Sequence, residues 1–319
     1  MTTSPVPHLT TAPRWRDATT AQFGDHLDAP VLEGLDPPLR VLLAALRSSP
    51  DGAVATAVAR GARPEDVREV LAELGAARLL RPPGERTVRQ AYVRVHGAGR
   101  TGVAIATVLA ASGVGRVAVR ASGPVGPGDP GTGLDHGEVG HPAVLAAAAA
   151  VARAAPGVAV AEPTRRRPDL VVLTGAAVAD RAVTAPLQAR HQPHLAVTVH
   201  DPVGVVGPLV VPGRTSCLRC ADRHREDADP ARGDLDAQRA DLATSVPVAL
   251  ATVVAGLVVG QVLEYLAGRP ALREAVEEVD PTRGTWVRRA CPPHPSCPCT
   301  GAPPRAPAAR AGENRGRVR

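Results

Sequence analysis

The chain has 319 residues, enough for one large domain or two modest ones, and its 44% hydrophobic content supplies a true core. Aromatic residues make up only 2%, so the stacking platforms of single-strand nucleic-acid binders are scarce, and the net charge of +6 comes from arginines scattered except near the C-terminus. No lysine occurs anywhere, which excludes a Schiff base, a Walker-type lysine and a lysine phosphate clamp.

The opening MTTSPVPHLTTAPRW has no basic segment followed by an apolar one, so no secretory signal is expected and the expected location is cytoplasmic. Residues 1–88 read as a unit of their own. Two short strands are predicted over 19–23 and 30–35. A helix follows over 38–46 with apolar spacing i, i+3, i+4 and i+7, then a second over 52–59. Pro64, Glu65 and Asp66 start a third helix, whose apolar positions are Val67, Val70, Leu71 and Leu74 and which Gly75 is placed to end. Residues 81–84 (RPPG) form a linker. Strands followed by three short helices make a winged-helix-like α+β unit; no helix in it carries the dense basic face of a DNA reader, and a capping or dimerisation role is the plain alternative.

From residue 90 to about 208 strand and helix alternate, with strands at 92–96, 115–120, 169–174 and 194–199 and helices at 102–112, 142–155 and 179–192. Repeated strand–helix–strand units imply an α/β fold with a parallel sheet covered on both faces. Between the first strand and its helix stands Gly97-Ala98-Gly99-Arg100-Thr101-Gly102. In this context the first glycine permits the tight turn, the second lets a pyrophosphate approach, and the third lets helix and strand pack closely. Arg120-Ala121-Ser122 replaces the acidic residue expected at the second strand end, and Arg120 with Ser122 could instead receive the 2′-phosphate of NADP. His200-Asp201 follows a strand end, as either a site pair or a turn, and His224 lies in a charged run that reads as solvated loop. The stretch 246–266 approaches a membrane span in length, but Gln261, Glu264 and many small residues mark it as a buried core helix.

Four of the five cysteines form Cys217-Leu218-Arg219-Cys220 and Cys297-Pro298-Cys299. Two close pairs far apart in a cytoplasmic chain point to a four-thiolate structural zinc site rather than disulfides. Cys291, beside Arg288 and Arg289, could substitute as a ligand or be a thiol of lowered pKa, the plain alternative being an unreactive one. Residues 301–319 have the composition of a disordered tail.

The N-terminal unit resembles the PqqD-like leader-peptide recognition modules through APVLEGLDPPLRVLLAAL and EDVREVLAELGAARLL. The glycine loop, the CxxC, the long apolar helix and the closing cysteine pair resemble the ThiF/MoeB adenylyltransferases of ubiquitin-activating type, over residues 90–299. PRWRDATTAQFG, VVGPLVVPGRTSCLRCADRHREDADP and CPPHPSCPC resemble the actinobacterial ThiF-like branch associated with bacteriocin cyclodehydratases. This resemblance implies a homodimer, a precursor-peptide partner and a maturation enzyme; the scarce aromatics and the core-helix reading of 246–266 argue against nucleic acid and membrane as partners. It also implies ATP and Mg²⁺ handled by a D-x-D, an N-L-x-R, a G-K-P lysine and a T-D-N aspartate. Here those positions read Arg120-Ala121-Ser122, the run GPVGPGDPGTGL, His141 in Gly140-His141-Pro142, and Thr174-Gly175-Ala176. The expectation is a nucleotide site, comprising Gly97, Gly99, Gly102, Arg120 and His141, that has lost most of the groups which position triphosphate and Mg²⁺. The rival expectations are a competent adenylyltransferase activating a carboxylate or amide, and an NADP-dependent reductase.

Overall fold

A computed structural model describes residues 7–50, 52–81, 88–163, 165–231, 245–269, 272 and 274–300. The chain divides into two compact units, Met1–Arg86 and Thr87–Arg319. The predicted tail and most of the 81–84 linker lie outside the described residues.

In the first unit β1 (His8–Leu9) precedes a small antiparallel sheet of β2 (Arg14–Trp15), β3 (Ala21–Gln22) and β4 (Val31–Leu32). Three helices follow, α1 (Pro37–Ser48), α2 (Ala53–Ala59) and α3 (Pro64–Ala76), and β5 (Leu80–Arg81) returns to pair antiparallel with β1. Asp36 caps α1 by accepting the Leu39 N–H at 3.0 Å, and prolines fill its first turn, where an N–H would be unsatisfied anyway. Leu39, Leu42, Leu43 and Leu46 then point inward and meet Val67, Val70 and Leu74 of α3 in one leucine-rich core. Gly75 does not end α3. The helix runs one residue further, and Arg78 takes the left-handed conformation (φ 57°) while the Leu79 N–H closes back on the Leu74 carbonyl. Burial of Leu79 in the core draws the chain into that closure, which Gly75, on an open face, cannot do.

The second unit is built on β6 (Tyr92–His96), α4 (Arg100–Ala111), β7 (Arg116–Arg120), α5 (Ala143–Ala154), β8 (Leu170–Thr174), α6 (Ala176–Ala179), α7 (Arg181–Ala189), β9 (His194–His200) and β10 (Val203–Val210). It is completed by α8 (Leu218–Ala228), α9 (Val248–Leu266), β11 (Ala275–Asp280) and β12 (Thr285–Ala290). The seven-stranded sheet has the order β12-β11-β10-β9-β8-β6-β7, parallel from β7 to β9 and antiparallel beyond. Side chains alternate across it: Val93, Val95, Val117, Val119, Leu170 and Val172 pack under α4, α5 and α9, while Val171 and Leu173 face α6 and α7.

The antiparallel strands were not expected. His200 ends β9 and pairs with Val203, and Asp201 with Pro202 makes the turn of the β9–β10 hairpin, as the turn reading of His200-Asp201 expected. The helix expected over 179–192 is α7, shorter at both ends; Asp180 separates it from the short α6 before it and caps α7 by accepting the Ala182 N–H at 2.8 Å. Among the described residues α9 alone is long and apolar enough to cross a membrane. Its Leu250, Ala251, Val254, Ala255, Val258, Val259 and Val262 are buried in the core, as expected of a core helix.

Candidate functional site

The glycine loop leaves β6 at the carboxyl end of the parallel strands, where open α/β sheets bind ligands. Gly97 is left-handed (φ 107°), and a Cβ there would lie 2.2 Å from Thr174 Oγ1. A Cβ on Gly102 would lie 2.1 Å from the Gly97 carbonyl oxygen. Thr174 Oγ1 donates to the His96 carbonyl at 2.8 Å, and the Gly97 N–H donates to the Arg120 carbonyl at 2.8 Å. The first and third glycines are therefore dictated by packing against β8 and α4.

Gly99 differs. It is the N-cap of α4 in extended backbone, and the atom facing its missing Cβ is Asp129 Oδ1 at 3.3 Å. The other oxygen of that carboxylate accepts the Gly126 N–H at 2.7 Å. An anion of the chain itself thus stands at the positive end of α4, beside the glycine a phosphate would approach. Arg100 holds this arrangement: its Nε donates to the Pro130 carbonyl at 2.8 Å and its Nη1 to Ser245 Oγ at 3.1 Å and to the Val246 carbonyl, while Thr132 Oγ1 donates to the Arg100 carbonyl at 2.7 Å. Sequence reasoning missed Asp129; its place in a Gly/Pro-rich run gives no local signal.

The cysteines converge elsewhere. Cys217 is the N-cap of α8, Cys220 sits in its first turn, and Cys297 and Cys299 come from the segment after β12. The four Sγ atoms lie within 4.8 Å of one another, with Cys217–Cys220 at 3.8 Å, Cys217–Cys297 at 3.6 Å and Cys220–Cys299 at 3.4 Å. Tetrahedral zinc with Zn–S bonds of about 2.3 Å has S···S edges of about 3.8 Å, so this buried donor set could hold such a metal. Burial pushes the Cys217 thiol up to about 11 and Cys299 up as well. Cys220, opposed by the same burial, ends below its ordinary value because backbone N–H groups of His294 and Cys217 reach it.

His294 fastens the loop that carries Cys297. Its Nε2 donates to Asp227 Oδ2 at 2.8 Å, and its Nδ1 accepts the Ser296 N–H at 3.1 Å. His224 is no solvated loop residue: it lies on α8, donates to the Pro292 carbonyl at 2.9 Å and meets the His294 ring edge-on. Cys291 stays outside the four-sulfur group, and burial raises its thiol rather than lowering it. The neighbouring arginines are turned to the partner strand, Arg289 pairing with Glu278 at 2.8 Å.

The ThiF family matches residues 72–299, more than half of the chain. This chain belongs to the ThiF family. The fold is that of E. coli MccB, at TM-score 0.68 and 14% identity over 96% of this chain and 100% of that one. E. coli MccB with ATP (TM-score 0.63, 15% identity, 92% and 99% covered) has the same fold. So has the microcin C7 biosynthetic enzyme MccB in complex with N-formylated MccA (TM-score 0.65, 14% identity, 92% and 99% covered). No curated protein matches the chain.

At the positions where the ThiF resemblance placed nucleotide contacts, two side chains are otherwise engaged or distant. The Arg120 fork closes on Glu162, Nε to Oε1 at 2.8 Å and Nη2 to Oε2 at 2.6 Å. Arg94 Nε lies 2.7 Å from Glu162 Oε1 in a close ion contact without hydrogen-bond alignment. Burial raises the Glu162 carboxyl, and the Arg120 hydrogen bonds with the charges of Arg94 and Arg120 overcome it, leaving it below its ordinary value. His141 is exposed, with its backbone paired to Val125 and Glu138, and among the described residues no hydrogen bond joins it to the glycine loop. His96, next to Gly97, is pushed down to about 4 by burial and then by the charges of Arg94 and Arg120, so it is neutral at pH 7.

Proposed function

We propose that this ThiF-family chain is a peptide-binding and scaffolding component of ribosomal-peptide maturation, working beside a cyclodehydratase-type enzyme, in which the glycine loop keeps its structural role and the ATP site is degenerate. The observation that carries the reading is Asp129. Its carboxylate stands where a triphosphate would need room and positive field, in a chain without a single lysine to offset it. Arg120, committed to Glu162, offers a phosphate no open fork. The peptide half rests on likeness to MccB, which has been solved with the peptide MccA, and on the small sheet of the first unit, whose edge strands β2 and β4 could accept an added peptide strand. In this reading the four-cysteine group holds structural zinc, the unit of residues 1–88 recognises the leader, and the protein acts as a cytoplasmic homodimer.

Calorimetric titration of the zinc-loaded protein tests it. ATP with Mg²⁺ gives no binding heat, NADPH as the control gives none, and no pyrophosphate is released with peptide present. Micromolar ATP affinity with peptide-dependent pyrophosphate release would establish the competing reading, an active adenylyltransferase; NADPH binding would establish the reductase.

A further inference from the structure

The sheet face opposite α4 carries a cleft that shares Arg120 alone with the expected nucleotide site. Its volume is about 530 Å³, within the range of small-ligand sites. It opens between the segment that leads from α5 to β8 and the C-terminal end of α7. Arg94 and Arg120 come from the sheet, Arg165, Arg166 and Arg167 from the crossing segment, and Arg190 from the end of α7. One lining carboxylate, Glu162, faces these six guanidinium groups.

Like charges at this density repel, and an anion entering the cleft relieves that repulsion. Some of the charge is already answered. Glu162 engages Arg94 and Arg120, and Arg166 pairs with Asp169 at 3.1 Å. Among the described residues Arg167 reaches only a neutral acceptor, the Arg190 carbonyl, at 3.5 Å. Among the described residues Arg165 and Arg190 have no carboxylate partner. On the same face of β6, Tyr92 Oη and His96 Nε2 are buried without a hydrogen-bond partner among the described residues, so that face carries polar capacity those residues do not satisfy.

The chemistry of the anion follows from the walls. A triphosphate favours donors that converge on one point, above all the N–H groups of a helix start, and among the described residues no helix start lines this cleft. The guanidinium groups are spread over three walls, with Pro163, Pro168, Pro186 and Leu187 between them. Separate carboxylates along an extended chain suit that spacing, with apolar contact in between. The mode of grip is displayed by Glu162, held two-pronged by Arg120.

We propose that this cleft is a second binding site, apart from the glycine loop, and that its ligand is an acid-rich peptide segment. Its preference for carboxylates stands on the lining alone; assigning the segment to the precursor peptide rests on the function proposed above.

The test is fluorescence anisotropy on the full-length zinc-loaded protein. The probes are a labelled peptide of alternating glutamate and alanine and its glutamine counterpart. The glutamate peptide binds, its affinity falls with added salt, and the glutamine peptide does not bind. The double variant Arg165→Ala/Arg190→Ala loses about tenfold in affinity while its circular dichroism is unchanged, and Arg165→Lys/Arg190→Lys loses less. Equal binding of both peptides, or full affinity in the alanine variant, overturns the proposal. So does inorganic tripolyphosphate binding more tightly than the glutamate peptide with the same arginine dependence, which would make this a phosphate site. Glutamate-peptide binding without precursor binding retires the maturation role and leaves the cleft standing.

Discussion

A methyl group on Gly102 would strike the Gly97 carbonyl at 2.1 Å, and backbone cannot give way as a side-chain tip can. Gly102→Ala should therefore cost about 3 kcal/mol and lower the melting temperature by about 6–12 °C. Gly99→Ala meets only Asp129 Oδ1 at 3.3 Å and takes an ordinary backbone conformation, so it should cost under about 1 kcal/mol. Equal losses in thermal unfolding would refute the division into two glycines required by packing and one that packing leaves free. His96 supplies a pH dependence. Its imidazole falls from 6.5 to about 4 on folding, so its contribution is complete above pH 6.5 and is lost as the pH drops toward 4. The ring is partly solvated, which limits the loss to about 1–2 kcal/mol. Urea unfolding at pH 7 and pH 4.5 should show it, and His96→Gln should flatten the slope. A variant as steep as the parent would place the acid sensitivity elsewhere, first of all at buried His194, whose pKa burial also lowers. The cysteines were legible at this scale because their pairing is local in sequence. The partners of Arg120 and His294 were not: they lie 42 and 67 residues away, and only folding brings them near.

At the scale of elements, β6, the glycine loop and α4 were readable within two residues, because an apolar run, a glycine turn and a buried helix each leave a pattern in adjacent residues. The antiparallel half of the sheet left none. Gly207-Pro208 interrupts β10, β11 carries Glu277 and Glu278 inside its run, and β12 is exposed along its whole length, so no alternation marked them as strands. The run GPVGPGDPGTGL was legible only as a departure from the family pattern, yet it supplies Asp129 and ties down Arg100. Asp129→Asn tests that contribution, since the amide oxygen can still accept the Gly126 N–H while the charge at the head of α4 disappears. The variant should lose no more than about 1 kcal/mol and should gain measurable affinity for ATP with Mg²⁺ by calorimetry. Unchanged silence toward ATP would show that the carboxylate is not what keeps the phosphate out.

For the whole molecule, the cores decide how it comes apart. The leucine cluster of the first unit and the valine/alanine core of the second share no residue, and each is closed within its own stretch of chain. Calorimetry should accordingly resolve two unfolding transitions. The four cysteines lie in the second unit and join α8 to the segment after β12 across roughly eighty residues, so a metal there constrains a long loop whose closure is entropically costly. A strong chelator should lower the second transition by about 10 °C or more and leave the first in place, and Cys220→Ser should reproduce that shift without chelator. Elemental analysis should find one zinc per chain in the parent protein and none in the variant. If the chelator moves both transitions together, the units unfold as one cooperative body; if it moves neither, the four thiols hold the loop by packing alone.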